Sequence, residues 1–371
     1  MSSSTALVGS LMRRGMDAAA SKKGSPDAYQ MPLWGILLIG TTVVLFVAAS
    51  TMIEYTFGRL IPALLMIESP PEAIRFEPLA TEDDDSSPKK TTPEIEGVKP
   101  TPITASFRSS IRLLKSKGGF RARFRGISIF IVNVVVMQWL AQFLSILPFV
   151  GFFIAPVIAA VICTPLSLAW THIVISEPSP KTWLRRLPPM KTWRKVALPT
   201  ALAAVAEQVS VLIPLYLILG SNLHQSPEQI ARMTPHEVSM LSLKLLGFSA
   251  LSLVFFVVLV IPANVTLTRV QASLLSDAEE TIVPFDRSFN GKVVPEIVGG
   301  TGVVGIFDAW TTFDWSARLR LFKAYAKVFV MEFALSLLFF TTLAVQLATI
   351  ISKEDWKKIK KGAKNGGVQF M

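Results

Sequence analysis

Long stretches without a single Asp, Glu, Lys or Arg decide which folds are open to this chain. The longest runs from Gly126 to Ser176 and contains 51 residues. A helix crosses the hydrocarbon core of a bilayer with about 20 apolar residues, so this stretch is long enough for two helices. A Pro and a Gly between Leu147 and Gly151 favour a tight reversal of the chain. We therefore predict two membrane-spanning helices joined by a short turn.

Four more stretches have the same character and bring the predicted number of spans to six. They are Ala28–Ile53, Val196–Leu219 with the single acid Glu207, Leu245–Thr268 and Phe333–Ser352. The composition agrees, because charged residues make up 17% of the chain against about 25% in soluble domains. The sequence predicts an all-α integral membrane protein with six transmembrane helices. The even number of spans places both termini on the same side of the membrane.

The residue types that usually carry chemistry are scarce. Cys163 is the only cysteine, which excludes an intrachain disulfide and a cysteine-cluster zinc site. The three histidines are thinly spread, and the sequence contains no Gly-rich phosphate loop, catalytic triad or paired acid motif. We predict no metal, no cofactor and no enzymatic activity.

Polar segments lie at both ends of the chain and between the first two spans. Residues 1–30 and 353–371 form basic tails, and residues 68–102 combine an acidic run with many prolines. A segment of this composition cannot bury enough apolar surface to fold by itself. We predict that 68–102 is a flexible loop through which protein partners bind.

Two basic stretches, Arg108–Arg125 and Lys181–Lys195, are predicted on the same side of the membrane. Within Phe107–Arg125, apolar and basic residues alternate as in a short amphipathic helix that lies on a membrane surface. An excess of Lys and Arg beside membrane spans is typical of one membrane face. Because both stretches contain aromatic residues and adjoin membrane spans, we predict anionic lipid headgroups as their partners and no nucleic acid.

The chain contains an internal repeat of about 100 residues. It is marked by prolines at the ends of the odd-numbered spans, namely Pro62, Pro165 and Pro262, which we predict to kink their helices. The third span ends in Cys163–His172, and the fifth ends in the comparable Ile261–Gln271. Gly-rich stretches follow the first and third loops, at Gly118–Gly126 and Gly299–Gly305. The pattern predicts three repeats, over residues 31–148, 149–223 and 240–352.

This arrangement resembles the mitochondrial carrier family, and the resemblance covers roughly residues 30 to 350. Pro262–Gln271 and Gly118–Gly126 are its most specific matches. The resemblance implies three repeats, each with an odd helix kinked at proline, a short surface helix, a Gly-rich turn and an even helix. It also implies transport of a small solute through a central cavity. The implied location is a mitochondrial membrane, inner or outer, with the peroxisome as the next option.

The residues that form the gate in that family are replaced here. The resemblance places an acid two positions after each proline and a base five positions after it, whose ion pairs close the matrix side. The chain has only uncharged residues there: Leu64 and Ile67, Ser167 and Trp170, Asn264 and Leu267. A transporter with this sequence therefore needs another gate. The alternative is a non-transporting, degenerate carrier of the mitochondrial outer membrane that acts in membrane dynamics, lipid handling or protein insertion.

Three polar side chains within the spans are the predicted substrate-binding residues. Glu207 lies in the middle of the fourth span, where an ionisable group is costly unless it is paired or hydrated. Asn133 lies close to the position at which the resemblance implies a substrate contact, and Glu332 lies deep in the sixth span. The structural alternative is that Glu207 and Asn133 form hydrogen bonds between helices.

Overall fold

The computed structural model describes residues 32–69, 102–221, 233–294 and 296–351. Within these ranges the protein is helical and contains no β-strand, only a single bridge between Ser176 and Thr281. The predicted all-α class is therefore confirmed. The two predicted basic tails and residues 70–101 of the predicted flexible loop lie outside the described residues.

Nine helices organise the part of the chain that the structure describes. In chain order α1 to α9 are Leu33–Ile67, Phe107–Gly118, Ile127–Ser145, Gly151–Ile162, Thr164–Ile175, Trp193–Gly220, Pro235–Ser273, Ile306–Thr311 and Trp315–Ile350. Helices α1, α3, α6, α7 and α9 are long and apolar enough to cross a membrane, α3 together with the short turn before it. Helices α4 and α5 form a sixth, broken span that is bent by 56°. This arrangement is compatible with the predicted multi-pass membrane protein.

The spanning helices extend well beyond the charge-free stretches of the sequence. Helix α1 continues past Ile53 through Glu54 and Arg59, and α9 begins at Trp315 instead of Phe333. The physical reason is that charged side chains are tolerated near helix ends and on faces that do not meet lipid. A criterion based on charge alone therefore makes the spans in α1, α7 and α9 too short.

The three repeat prolines occupy equivalent places in their helices. Each is the second residue of an α-helical segment: Ile61–Ile67 for Pro62, Thr164–Ile175 for Pro165 and Ile261–Ser273 for Pro262. The segments of Pro62 and Pro262 follow π-helical turns, Glu54–Leu60 and Phe256–Val260. The segment of Pro165 follows the bend at Cys163. Proline lacks an N–H and clashes with the carbonyl four residues earlier, so it disrupts the regular helical hydrogen bonds before it. The irregular turns lie just before the prolines for this reason.

The described residues fall into two compact units. The smaller unit comprises residues 32–49, 233 and 334–351, from the beginning of α1 and the end of α9. In it Phe46 stacks on Phe339 with 4.1 Å between ring centroids, and Gln346 Nε2 donates a hydrogen bond to Thr42 Oγ1 at 2.7 Å. These contacts join the two helix segments within the smaller unit.

The larger unit, formed by residues 50–221, 234–294 and 296–333, has its core at the proline ends of the odd spans. Side chains that follow the prolines, such as Leu64 in α1 and Ile175 in α5, are fully buried there. Along the rest of the spans many large apolar side chains are exposed, as expected for surfaces that face lipid.

Helix α2 confirms the predicted helix after the first loop. It begins at a capping box between Ser106 and Ser109 and ends before Gly119, whose φ of 66° favours glycine. Leu114 of α2 is buried in the core, and the basic residues Arg112 and Lys115 are exposed. The helix is amphipathic, as its sequence predicts.

Candidate functional site

A central cavity of about 210 Å³ lies inside the larger unit. Each of the five long helices and the bent pair α4–α5 contributes to its walls. The lining residues lie between Gly58 and Met66, Phe130 and Met137, Ala160 and Thr171, Thr200 and Glu207, and Asn264 and Gln271, with Tyr325 from α9. A cavity shared by every span is where a solute would contact the whole helix bundle. Cavities between packed helices are common sites for small ligands.

Of the three predicted substrate-binding residues, Glu207 and Asn133 line the central cavity. The Glu207 side chain is exposed and forms no hydrogen bond or ion pair with the described residues. The Asn133 Oδ1 atom is buried and lacks a hydrogen-bond partner in the described part of the chain. Neither side chain makes the interhelical hydrogen bond that was the structural alternative.

Arg59 is a cavity residue that the charge-based prediction of spans missed. It lies in the π-helical turn of α1, beyond the predicted end of the first span at Ile53. Its Nη2 atom is 3.5 Å from Glu54 Oε1, and its guanidinium lies 5.9 Å from the centre of the Phe130 ring. The signal that could have found it is Pro62, because the repeat pattern already places this proline near the end of the first span.

Glu332 is not among the residues that line the central cavity, so the geometry corrects its predicted grouping with Glu207 and Asn133. One of its oxygens accepts a hydrogen bond of 2.9 Å from Ser50, which joins α9 to α1. The reason is its distance along the helix. Glu332 follows Tyr325 by seven residues, which corresponds to about 10 Å of helical rise.

Neutral hydrogen bonds connect the helices at the proline end of the cavity. We call the group of Ser167, Thr171, His172 and Gln271 the glutamine cluster. In it Thr171 Oγ1 donates to Gln271 Oε1 at 2.5 Å, and Gln271 Nε2 donates to Ser167 Oγ at 3.1 Å. His172 Nε2 donates to the backbone oxygen of Gln271 at 2.8 Å. These bonds hold α5 against α7 without any charge.

The positions that carry gate charges in carriers take part in this packing. Trp170 Nε1 donates to the Tyr55 hydroxyl at 3.3 Å, and Ser167 belongs to the glutamine cluster. Leu64 and Ile67 are buried in the apolar core. Apolar contacts and neutral hydrogen bonds thus occupy the region where the resemblance would place ion pairs.

Glu207 also borders a second cavity of about 420 Å³, which we call the side cavity. It is lined by residues between Met137 and Ser145 of α3, Phe152 and Pro156 of α4, and Glu207 and Leu215 of α6. Gln138, Gln142 and Gln208 give it polar groups. Glu207 and Met137 therefore line both the central and the side cavity.

A third cavity of about 320 Å³, the basic cavity, brings together the two basic stretches of the sequence. It is lined by Arg121, Arg125, Lys181 and Arg186 beside Trp183. Arg125 Nε donates to Ile173 O, and Arg186 pairs with Glu279 at 2.8 Å, so both are already engaged. Arg121 and Lys181 are exposed, and their side chains form no ion pair with the described residues.

Comparisons with protein-family models, curated proteins and solved structures found no match to this chain. Within the described ranges, no group of three or more His, Cys, Asp or Glu side chains is placed to hold a metal ion. The resemblance to mitochondrial carriers therefore stays a prediction from the sequence. The described residues form an all-helical fold with five helices of membrane-spanning length and one bent helix pair, and residues from each of them line the central cavity.

Proposed function

We propose that this protein is a carrier-like transporter that binds a small solute in the central cavity and moves it across an organellar membrane. One observation carries the proposal: residues from all six spans line one cavity that contains the opposite charges of Arg59 and Glu207. Charged side chains inside spans are expensive to keep and usually mark substrate pathways. A purely structural bundle would not require them at a shared cavity.

The size of the cavity restricts the solute. Drug-sized ligands occupy pockets of about 300–1,000 Å³. At about 210 Å³ the central cavity suits a small metabolite and is too small for a nucleotide or a large cofactor in this conformation.

The equivalent places of the three prolines support the proposed threefold repeat. Each proline follows an irregular turn near the end of an odd span, as the carrier-like arrangement requires. On this basis we propose a mitochondrial membrane as the location, with no enzymatic step. The neutral contacts of the glutamine cluster would then replace the ion pairs of a carrier gate.

Uptake into liposomes that contain the full chain tests the proposal. The panel comprises small carboxylates, amino acids, nucleotides and cofactors. We expect saturable uptake of a small solute, and at least about a tenfold loss of the rate in Glu207→Gln, equivalent to about 1.4 kcal/mol. The reason is that Gln keeps the size of the side chain and removes the charge that faces the cavity.

Glu332→Gln is the matched control, because it makes the same change within a span but outside the central cavity. Its side-chain oxygen can still accept the hydrogen bond from Ser50. We expect normal uptake in this variant. No uptake of any solute by folded wild-type protein, or equal losses in both variants, would contradict the proposed transport site.

The side cavity favours a second candidate function, lipid handling or protein insertion. Its lining within the described residues comes from α3, α4 and α6, and its glutamines place polar groups among apolar spans. A polar cavity between a few spans suits a polar segment or headgroup that moves along the membrane. Scrambling of fluorescent lipids by the same liposomes, in the absence of solute uptake, would favour this candidate.

We also propose that the basic cavity binds an anionic lipid headgroup. Each basic residue near a membrane surface contributes about 1 kcal/mol to such binding, so Arg121→Gln with Lys181→Gln should weaken it by about 2 kcal/mol, or about 30-fold. Native mass spectrometry with phosphatidylglycerol and phosphatidylcholine measures the effect. The control is Arg112→Gln with Lys115→Gln, two exposed α2 residues outside the cavity. Equal retention of both lipids by wild type would exclude headgroup recognition by charge.

A further inference from the structure

We propose that the solute of the central cavity is a small zwitterion, whose carboxylate binds Arg59 and whose ammonium group binds Glu207. This inference rests on the proposed function and specifies its substrate class. It follows from the charges, the unused hydrogen-bonding groups and the volume of the cavity.

Among the residues that the structure describes, Arg59 and Glu207 are the charged ones that line the central cavity. They come from α1 and α6, and no ion pair within 4.0 Å joins them. The contact of Arg59 with Glu54 leaves most of its five N–H donors unused. The cavity is therefore lined by one basic and one acidic residue that are not paired with each other, and Arg59 has a weak contact with Glu54.

The other solute classes fit this pair of charges less well. A simple anion would be attracted by Arg59 and repelled by Glu207. A simple cation would be attracted by Glu207 and repelled by Arg59. A neutral solute would displace water from two charges without replacing its hydrogen bonds. A zwitterion is the class that pairs with both groups at once, so the water lost from each is replaced by an ionic hydrogen bond.

Some uncharged polar side chains of the central cavity already form hydrogen bonds within the protein, and others do not. In the glutamine cluster, Gln271 and Thr171 bond to each other, so they offer little to a solute. The side chains of Asn133 and Asn264 also line the cavity, and neither forms a hydrogen bond with the described residues. Amide groups of this kind can accept from an ammonium group and donate to a carboxylate.

The test measures binding separately from transport. The thermal unfolding midpoint of the full chain in detergent is measured with zwitterions of increasing charge separation: alanine, β-alanine and γ-aminobutyrate. Each is compared with the acid that lacks its amine and with the amine that lacks its carboxylate. We expect at least one zwitterion to raise the midpoint at tenfold lower concentration than either of its two analogues.

Variants that remove one charge from the cavity should change which ligand is preferred, and a purely structural role of the residue would not produce such a change. Glu207→Gln should lose its preference for the zwitterion over the matching acid, because the negative charge that repels the acid is gone. Arg59→Gln should lose the preference over the matching amine for the converse reason. Glu332→Gln and Arg112→Gln, whose side chains lie outside the cavity, should keep the wild-type preference.

Uptake of the same compounds by liposomes separates this inference from the proposed function. Zwitterion binding without uptake would overturn transport and support the substrate class. Saturable uptake of acids alone or amines alone, unchanged in the charge variants, would support transport and overturn the zwitterion. Neither binding nor uptake by folded protein would overturn both.

Discussion

Gln271→Leu is expected to lower the free energy of unfolding by about 3 kcal/mol. Gln271 is 2% exposed and Thr171 is 1% exposed, so the substitution leaves a buried hydroxyl without its partner, and Ser167 loses its donor. An unsatisfied buried polar group costs about 1–3 kcal/mol. Hydrogen bonds between membrane helices average only about 0.6 kcal/mol, but Thr171 is almost fully buried, so the loss of its acceptor is expected to cost more than that average. Unfolding in mixed micelles titrated with sodium dodecyl sulfate measures the change.

A double-mutant cycle separates the hydrogen bonds from the packing. Thr171→Val removes the hydroxyl and keeps the shape, so it alone should also be destabilising. Replacing both partners by apolar groups removes the unsatisfied atom. The double variant should therefore be more stable than the sum of the single effects predicts, by at least about 1 kcal/mol. Strictly additive effects would show that the cluster contributes only packing.

In the proposed transporter, this end of the cavity opens only if the hydrogen bonds of the glutamine cluster break. A gate of ion pairs can exchange partners between two closed states. The bonds among Ser167, Thr171 and Gln271 have no charge to exchange, so their opening requires water to take their place. We therefore expect Thr171→Val to change the uptake rate in the transport assay as well as the stability.

The positions of the spans could be predicted from the sequence because the hydrocarbon core imposes a simple rule. Long charge-free stretches must become helices with all backbone groups satisfied internally. The stretch Gly126–Ser176 accordingly forms α3 and the bent pair α4–α5. The prolines Pro62, Pro165 and Pro262 also marked the irregular turns, since a proline removes one helical hydrogen bond and clashes with the preceding turn.

The membership of the site could be predicted only in part. Glu207 and Asn133 could be predicted because a polar residue in an apolar span needs a cavity or a partner. Arg59 was not predicted, because the charge-free stretch of the first span ends at Ile53 and the helix continues beyond it. The contacts of Glu332 depend on its position along α9, which the sequence does not relate to the cavity. Which residues share one cavity follows from helix packing in three dimensions, and periodicity along one chain does not contain that information.

Glu68 shows the same limit at the end of the first span. Its position in an acidic, proline-rich segment predicts a flexible loop, but its side chain is 4% exposed. The carboxylate accepts hydrogen bonds from Ile103 N at 2.6 Å, from Thr104 N at 3.3 Å and from the Thr104 hydroxyl. It thereby ties the end of α1 to the chain that follows residues 70–101. The partners lie 35 and 36 residues away in sequence, so local composition could not reveal them.

Glu68→Ala is expected to lower the free energy of unfolding by about 3–4 kcal/mol. Hydrogen bonds to a charged group contribute about 1.5–3 kcal/mol each, and the substitution leaves the buried N–H of Thr104 without an acceptor. Arg320 also loses a carboxylate 4.0 Å from its Nη2 atom. The measurement is the same detergent titration that serves for Gln271→Leu.

Two further variants identify which contact is responsible. Glu68→Gln keeps one acceptor oxygen for Ile103, and the Thr104 hydroxyl can turn to accept from the new amide, so about half of the loss is expected. Arg320→Gln should cost less than about 1 kcal/mol, because a separation of 4.0 Å at a partly exposed arginine makes a weak pair. If Glu68→Gln and Arg320→Gln were each as damaging as Glu68→Ala, the ion pair would be the main contribution. The backbone hydrogen bonds that tie Ile103 and Thr104 to the end of α1 would then be secondary.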